Sequence, residues 1–292
     1  MIYKNSKSDE ISGFITVDGI KLHYIIEGEG IPCLVIGMLS NFYQPVFSSK
    51  IKKHLKFIFV DFKIFIPAVS IDVNNISMDM IVEDLEKIRI VLGFEKIAVL
   101  GHSAFGIIAL EYAFKYPQRT SHIIMIASYP PNMADENLKR GSEFWELDAS
   151  KERKIIQRKN NEPLTEEFLS TVSPTKALAL QYIANAPFYW YDPTYDCSWI
   201  WRGVELNMDL FNHFYSKIIR GKDATQKILN ITIPKFLSMG RCDYSAPYIL
   251  WDNLINKIPN LTYYLFKKSG HFPMFEEQAL FDKRIIEWIN NL

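Results

Sequence analysis

Residues 96–106 read Lys-Ile-Ala-Val-Leu-Gly-His-Ser-Ala-Phe-Gly, and this stretch decides the fold. Ile97 to Leu100 is a short apolar run of strand type. From Ala104 onward, Ile107, Ile108, Leu110, Ala113 and Phe114 recur at helical spacing. Gly101-His102-Ser103 lies between the two. A serine on a sharp strand-to-helix turn is thrust out over the strand ends. The amide of the next residue, Ala104, then sits at a helix start, where partial positive charge can receive an oxyanion. Small residues flank the serine because backbone and neighbouring helix come close there.

Outward from this turn, strand and helix signals alternate. Phe14 to Val17 and Ile20 to Ile26 are β-rich runs joined by Asp18-Gly19, a hairpin signal. Cys33 to Ile36 and Phe57 to Val60 are continuous apolar runs, as expected of strands buried on both faces. A helix is expected over Tyr43 to His54. Ser77 is placed to cap another through Leu92, with Gly93 ending it. Pro117 stops the helix after Ser103, and His122 to Ala127 is the next strand. Lys235 to Met239 and Leu261 to Phe266 complete the strands, with helices expected after Pro247 to about Lys257 and from Glu276 to Asn291. This order predicts an α/β fold with a mostly parallel sheet and helices on both faces.

The alternation breaks from about Pro130 to Asn230. Helical segments are expected near Glu143 to Gln157, Glu166 to Thr171, Thr175 to Asn185 and Glu205 to Arg220. The division is therefore 1–129 and 231–292 as core, with 130–230 as a helical insertion. Tyr182 to Tyr215 is dense in aromatics, including Phe188, Tyr189, Trp190, Tyr191, Tyr195, Trp199 and Trp201. Most are expected to form the insertion's own small core, and some to line a substrate cavity, since apolar pockets are built this way. Phe105, Trp145, Trp190, Trp199 and Trp201 are the candidate substrate-binding residues.

The turn at Ser103 in this setting resembles the nucleophile elbow of the α/β-hydrolase superfamily, and the resemblance spans nearly the whole chain. It implies a helical cap over the serine at the place of the insertion. A serine hydroxyl needs a base in contact, and the base needs a group that fixes its tautomer. The superfamily's chain order is serine, acid, histidine. Asp243 follows the strand after the insertion, and His271 follows the last strand. Both lie at strand C-terminal ends, where open α/β sheets bind ligands. Gly270-His271-Phe272-Pro273 before an acidic helix start resembles the superfamily's histidine loop. Asp61 resembles a structural aspartate kept at a strand end. His102 is expected to support the turn.

Three features depart from the pattern. Phe105 stands two after the serine, where a small residue is usual, and Gly106 follows it. Ile36-Gly37-Met38 replaces the usual His-Gly after the first parallel strand. Backbone amides need no particular side chain, so Met38 is the candidate second oxyanion donor beside Ala104, with Leu39 as the alternative. Phe62-Lys63-Ile64-Phe65-Ile66-Pro67 replaces a Gly-rich turn, which predicts a bulkier, more apolar rim.

The 292 residues suffice for one large domain with an insertion. Lys+Arg and Asp+Glu are both 33, so the net charge is zero, which argues against nucleic acid or an acidic membrane as partner. Cys33, Cys197 and Cys242 are widely spaced and odd in number, which fits neither a disulfide framework nor a zinc site and suits a reducing, cytoplasmic setting. The N-terminal Met1 to Glu10 has no apolar segment of signal type, and no apolar run is of membrane-spanning length. No cofactor or metal is implied; the expected partner is a small-molecule substrate. The sequence therefore reads as a serine hydrolase of a small, largely apolar ester, thioester or lactone. A proline-iminopeptidase-like aminopeptidase is the runner-up, and a non-catalytic, receptor-like homologue the reading from another class.

Overall fold

The computed structural model describes residues 3–4, 10–67, 69–132 and 135–291. Most of the N-terminal stretch Met1 to Glu10 lies outside them. The described strands are β1 (Tyr3–Lys4), β2 (Ile11–Val17), β3 (Ile20–Glu27), β4 (Ile31–Ile36), β5 (Leu55–Val60), β6 (Ile97–His102), β7 (Thr120–Ile126), β8 (Lys235–Gly240) and β9 (Leu261–Phe266). They form one sheet in the order β1-β2-β3-β5-β4-β6-β7-β8-β9. The strands from β5 to β9 in that order run parallel, and β1 to β3 are antiparallel. The central strand β6 is buried at every position, which explains its unbroken apolar run.

Helices α1 (Ser40–Tyr43), α2 (Met78–Val91) and α3 (Phe105–Lys115) connect the first strands. Ser77 caps α2 by accepting from the Met80 amide, satisfying one of the donors a helix start leaves free. Between β7 and β8 lie α4 (Asp135–Asp148), α5 (Lys151–Asn161), α6 (Glu166–Ser170), α7 (Pro174–Ala184), α8 (Ala186–Tyr189), α9 (Met208–His213) and α10 (Thr225–Asn230). The chain closes with α11 (Pro273–Glu276) and α12 (Gln278–Asn290). Among the described residues no helix is long and apolar enough to cross a membrane.

Four expectations need correction. Tyr43 to His54 is not one helix: after α1 come the 3₁₀ turns Gln44–Val46 and Ile51–Lys53. Pro45 lacks the amide that would continue the ladder, and Phe47 is extended at φ −98°, ψ 136°. The stretch after Pro247 also makes two 3₁₀ turns, Tyr248–Trp251 and Ile255–Lys257. There the fully buried Trp251 donates its indole N–H to the Ser128 carbonyl (2.7 Å), and this long-range anchor overrides local helix preference. Glu143 to Gln157 is split at Ala149-Ser150, where Ser150 caps α5. Glu205 to Arg220 starts late, at the Asn207 cap of α9, and widens into a π-helical segment, Phe214–Ile219.

The insertion's aromatics are also distributed differently from the expectation. Trp190, Ile200, Leu210, Phe211 and Phe214 are continuous with the main core, and among the described residues a small cluster around Trp145, Ala149 and Tyr244 stands apart. A helix as short as the six-residue α9 cannot bury a core of its own, so Leu210 and Phe211 close on the strand ends instead. Phe65 is the joint: wholly buried, it packs against Phe62 and Phe105 of the core and against Phe211 and Phe214 of the insertion. Phe65→Ala is expected to lower the unfolding free energy by about 3–5 kcal/mol. Urea titration followed by tryptophan fluorescence measures it, and a loss below about 1 kcal/mol would mean that insertion and core do not share this packing.

Candidate active site

Ser103 adopts φ +58°, a left-handed conformation that non-glycine residues rarely take. The turn is held by the Ser103 amide, which donates to the Ile126 carbonyl of β7 (2.9 Å), and by the Gly106 amide, which donates to the Ser103 carbonyl (3.1 Å). Two glycines make the turn possible. A Cβ at Gly101 would strike the Phe105 carbonyl, and one at Gly106 would strike the Ser128 hydroxyl. The close approach thus falls at Gly106. Phe105 is free to turn its ring into the core, stacked on Phe214 at 5.6 Å. The departure seen in the sequence shifts the small residue by one place without opening the turn.

His271 and Asp243 come together across two loops. The His271 Nδ1 lies 2.7 Å from Asp243 Oδ2, in a pair almost wholly buried. The other oxygen, Oδ1, accepts from the amides of Ser245 and Ala246, both at 2.9 Å. Three donors therefore surround a carboxylate that solvent does not reach, and each offsets part of its desolvation. Ser103 and His271 line one cavity. Among the described residues no hydrogen bond joins the Ser103 hydroxyl to the imidazole, and such contacts are often loose without substrate.

His102 acts on the histidine loop from below. Its Nε2 faces the His271 carbonyl at 2.8 Å and its Nδ1 faces the Tyr43 hydroxyl at 3.1 Å. A carbonyl only accepts, so Nε2 carries the proton and Nδ1 accepts from the tyrosine. Burial, reinforced by the charge that His271 can carry, holds His102 well below its ordinary value of 6.5.

The loop after β4 carries Met38, which lines the same cavity; Leu39 does not. Asp61 Oδ1 accepts from the Ser40 amide (2.8 Å), the Ser40 hydroxyl pairs with His23 (2.8 Å), and the Phe62 amide donates to the Met38 carbonyl (3.0 Å). These bonds fix a loop that lacks the usual His-Gly. Among the described residues neither the Met38 nor the Ala104 amide has an acceptor within the protein.

The cavity holds about 610 Å³ of empty space, counting its mouth. Phe105, Trp190 and Trp201 line it, as do Tyr182, Tyr189 and Tyr215, which the sequence reading did not single out as site residues. Two expected residues do not. Trp145 stacks on Phe188 at 3.9 Å in the separate cluster, and Trp199 packs on Phe275 while its indole donates to Tyr195. Tryptophan serves equally as packing or pocket wall, so residue type alone could not sort them. The tyrosines were legible only as part of an aromatic-rich stretch. No Asp, Glu, Lys or Arg is among the lining residues. The acids of the insertion point elsewhere: Glu143 and Glu146 are exposed beside Lys139 and Lys154, and Asp148 is held by Arg241 and Tyr244. Among the described residues no three His, Cys, Asp or Glu side chains group as metal ligands.

Comparison with known proteins agrees with this architecture. The sequence model of the alpha/beta hydrolase fold matches residues 47–278, and the chain belongs to that family of hydrolases. It is 32% identical over 283 residues to the AB hydrolase superfamily protein YclE of Bacillus subtilis, covering 96% of this chain and 99% of that one. It is 27% identical to a proline iminopeptidase of Saccharolobus solfataricus, over 76% of this chain and 71% of the other. Among solved structures, an alpha/beta fold family hydrolase from Bacillus anthracis superposes with a TM-score of 0.71 at 23% identity, covering 95% of this chain and 98% of that one.

The buried His102 makes stability depend on pH. Unfolded, it binds a proton near 6.5; folded, it resists until well below. The unfolded state therefore gains protons first, and stability, full above about pH 6.5, falls as pH drops below it, by up to about 1.4 kcal/mol per unit for this one group. His122, also lowered by burial, adds to the fall. His102→Gln should show a shallower loss between pH 6.5 and 5 in urea titrations. An equally steep loss would assign the effect to other groups.

Proposed function

We propose that the protein hydrolyses uncharged carboxylic esters, thioesters or lactones with compact, apolar acyl groups, through an acyl-enzyme on Ser103. The observation that carries this reading is the cavity itself. The serine, the histidine paired with a buried carboxylate, and two backbone amides without acceptors adjoin an aromatic pocket with no charged wall.

In this reading His271 keeps its Nδ1 proton on Asp243, which leaves Nε2 to take the Ser103 proton as the hydroxyl attacks the acyl carbon. Asp243 stabilises the imidazolium that forms. The amides of Ala104 and Met38 receive the oxyanion, the first aided by the start of α3. His271 then protonates the leaving alcohol or thiol, and water repeats the steps to release the acid. The segment between β7 and β8 serves as a cap that excludes water and supplies half of the residues that line the pocket. Ser103 stands where an aspartate nucleophile would otherwise act, so the chemistry is that of a serine ester.

The likeness to proline iminopeptidases favours a second reading, release of an N-terminal residue. An aminopeptidase must hold an ammonium in the same low-dielectric pocket, and leaving a buried charge unpaired costs about 3–5 kcal/mol. The cavity has no carboxylate to offer. Glu205 and Asp209 are exposed and, like Glu143 and Glu146, do not line it. The same argument disfavours carboxylated substrates, because no Lys or Arg lines the wall.

Set side by side, p-nitrophenyl butyrate should be turned over and a prolyl anilide should not. Ser103→Ala should abolish turnover and labelling by a fluorophosphonate, while Glu143→Gln with Glu146→Gln should leave ester turnover within a few-fold. Asp243→Asn should lower the rate by roughly four orders of magnitude, on the scale of the serine-protease acid. Rapid cleavage of the anilide with a slow ester would establish the aminopeptidase instead, and a folded wild type that no fluorophosphonate labels would favour the receptor-like reading.

A further inference from the structure

Glu276 ends the short helix α11, five residues after His271. Its carboxylate is engaged by three backbone amides. Oε1 accepts from Gly270 (2.8 Å) and Phe272 (3.1 Å), the residues on either side of His271. Oε2 accepts from Tyr191 (2.7 Å), which belongs to the segment between β7 and β8. One side chain therefore joins the histidine loop to the cap.

The strap 189–191 is also held on its other edge. The His271 amide donates to the Tyr189 carbonyl, and Trp190 stacks on Phe272 at 4.7 Å with the planes 7° apart. The buried Arg153 donates to the carbonyls of Pro187 (2.7 Å), Trp190 (2.8 Å) and Tyr191 (2.6 Å). The peptide between Trp190 and Tyr191 thus offers its carbonyl to a cation and its amide to an anion. Both charges align with the peptide dipole, and charge-assisted bonds of this kind are about twice as strong as neutral ones. Among the described residues the Glu276 carboxylate makes no other hydrogen bond and no ion pair.

We infer that Glu276 is a positioning residue for His271, tying the strap 189–191 to the turn 270–272 so that the imidazole is held in register with Ser103 only when the cap is docked. This rests on the serine-hydrolase reading. Burial pushes the Glu276 carboxyl up to about 7, against the pull of its three amide donors. The surrounding titratable groups are Asp243 and Cys242 on the loop after β8, Glu277 beside it, Arg153 across the strap, and His271. A protonated carboxyl cannot accept all three bonds equally well, so the tie weakens as pH falls through about 7. Activity then requires Glu276 to be ionised as well as His271 to be neutral, as a general base must be.

The test follows the rate of Ser103 labelling by a fluorophosphonate against pH, with ester kcat and KM measured beside it. Wild type should show an acid limb steeper than one proton. Glu276→Gln keeps the volume but sets an NH₂ group against an amide donor. It should lower the plateau about tenfold, reduce the limb to one proton, and change kcat more than KM. Glu277→Gln, which alters the neighbouring bonds to Lys268 and Ser269, should keep the steep limb and controls for loosening of the helix. Amide exchange at Gly270, Phe272 and Tyr191 gives a readout independent of turnover: protection should fall in Glu276→Gln. A reactive Ser103 with the same limb, plateau and protection in Glu276→Gln overturns this inference alone. An unreactive Ser103 in the folded wild type overturns the hydrolase reading together with the catalytic part of this one.

Discussion

The constraint on which the rest of the structure depends is the left-handed turn at Ser103. A side chain at φ +58° is strained by about 1–3 kcal/mol, and the surroundings must hold it. β6 lies inside the sheet with β4 on one side and β7 on the other, so the turn emerges between two rigid neighbours. Its amide is bonded to β7, and the backbone passes so close to its own helix that only glycine fits at 101. The parallel sheet supplies this frame. Loops that leave the same edge, after β4, β8 and β9, are brought around the serine by topology alone.

The loops themselves are organised by buried and half-buried polar side chains bonded to backbone and to one another. His271 is restrained at its amide by Tyr189, at its carbonyl by His102, at its ring by Asp243 and at both neighbouring amides by Glu276. Asp61 and His23 do the same for the loop that carries Met38. Loops of this kind would otherwise be the mobile part of the fold, with their backbone bonds exchanged for water. Charge is thus spent on backbone around the cavity and kept out of its wall. Tyrosines give the wall a few neutral polar groups, and burial raises Tyr189 and Tyr215 further above their ordinary range, so they remain uncharged donors.

The insertion shows why an aromatic-rich segment does not announce its role. Its helices α6, α8, α9 and α10 have only four to six residues, and α5, Lys-Glu-Arg-Lys-Ile-Ile-Gln-Arg-Lys-Asn-Asn, offers little apolar surface. Burial is completed by lending rings to the strand ends, through Phe211 and Phe214 on Phe65 and Phe105. The segment between β7 and β8 and the rest of the fold are joined by this packing and by the Arg153–strap–Glu276 bonds, one apolar and one polar. The bulky stretch Phe62 to Pro67, which replaces the Gly-rich turn of many members of the resembled superfamily, supplies the apolar half of that joint through Phe65.

What the sequence determined by itself was local. Alternating apolar runs placed β2 to β9 to within a few residues, Ser77 and Gly93 bounded α2, and the strand–Ser103–helix pattern marked the turn. Strand periodicity put Asp243 and His271 just past strand ends, and their pairing with Ser103 came from the resemblance to the superfamily's order of serine, acid and histidine. Tertiary structure decided everything that depends on which distant element a side chain meets. Trp251 broke one expected helix through its long-range bond to Ser128, whereas the break at Pro45 has a local cause, its missing amide. Trp145 and Trp199 left the cavity while Tyr182 and Tyr215 entered it, because periodicity gives a helix an apolar face but not the neighbour that covers it. Glu276 looked like any acid at a helix start. Only the folded chain brings the distant Tyr191 amide to a carboxylate that already accepts from Gly270 and Phe272 of its own loop.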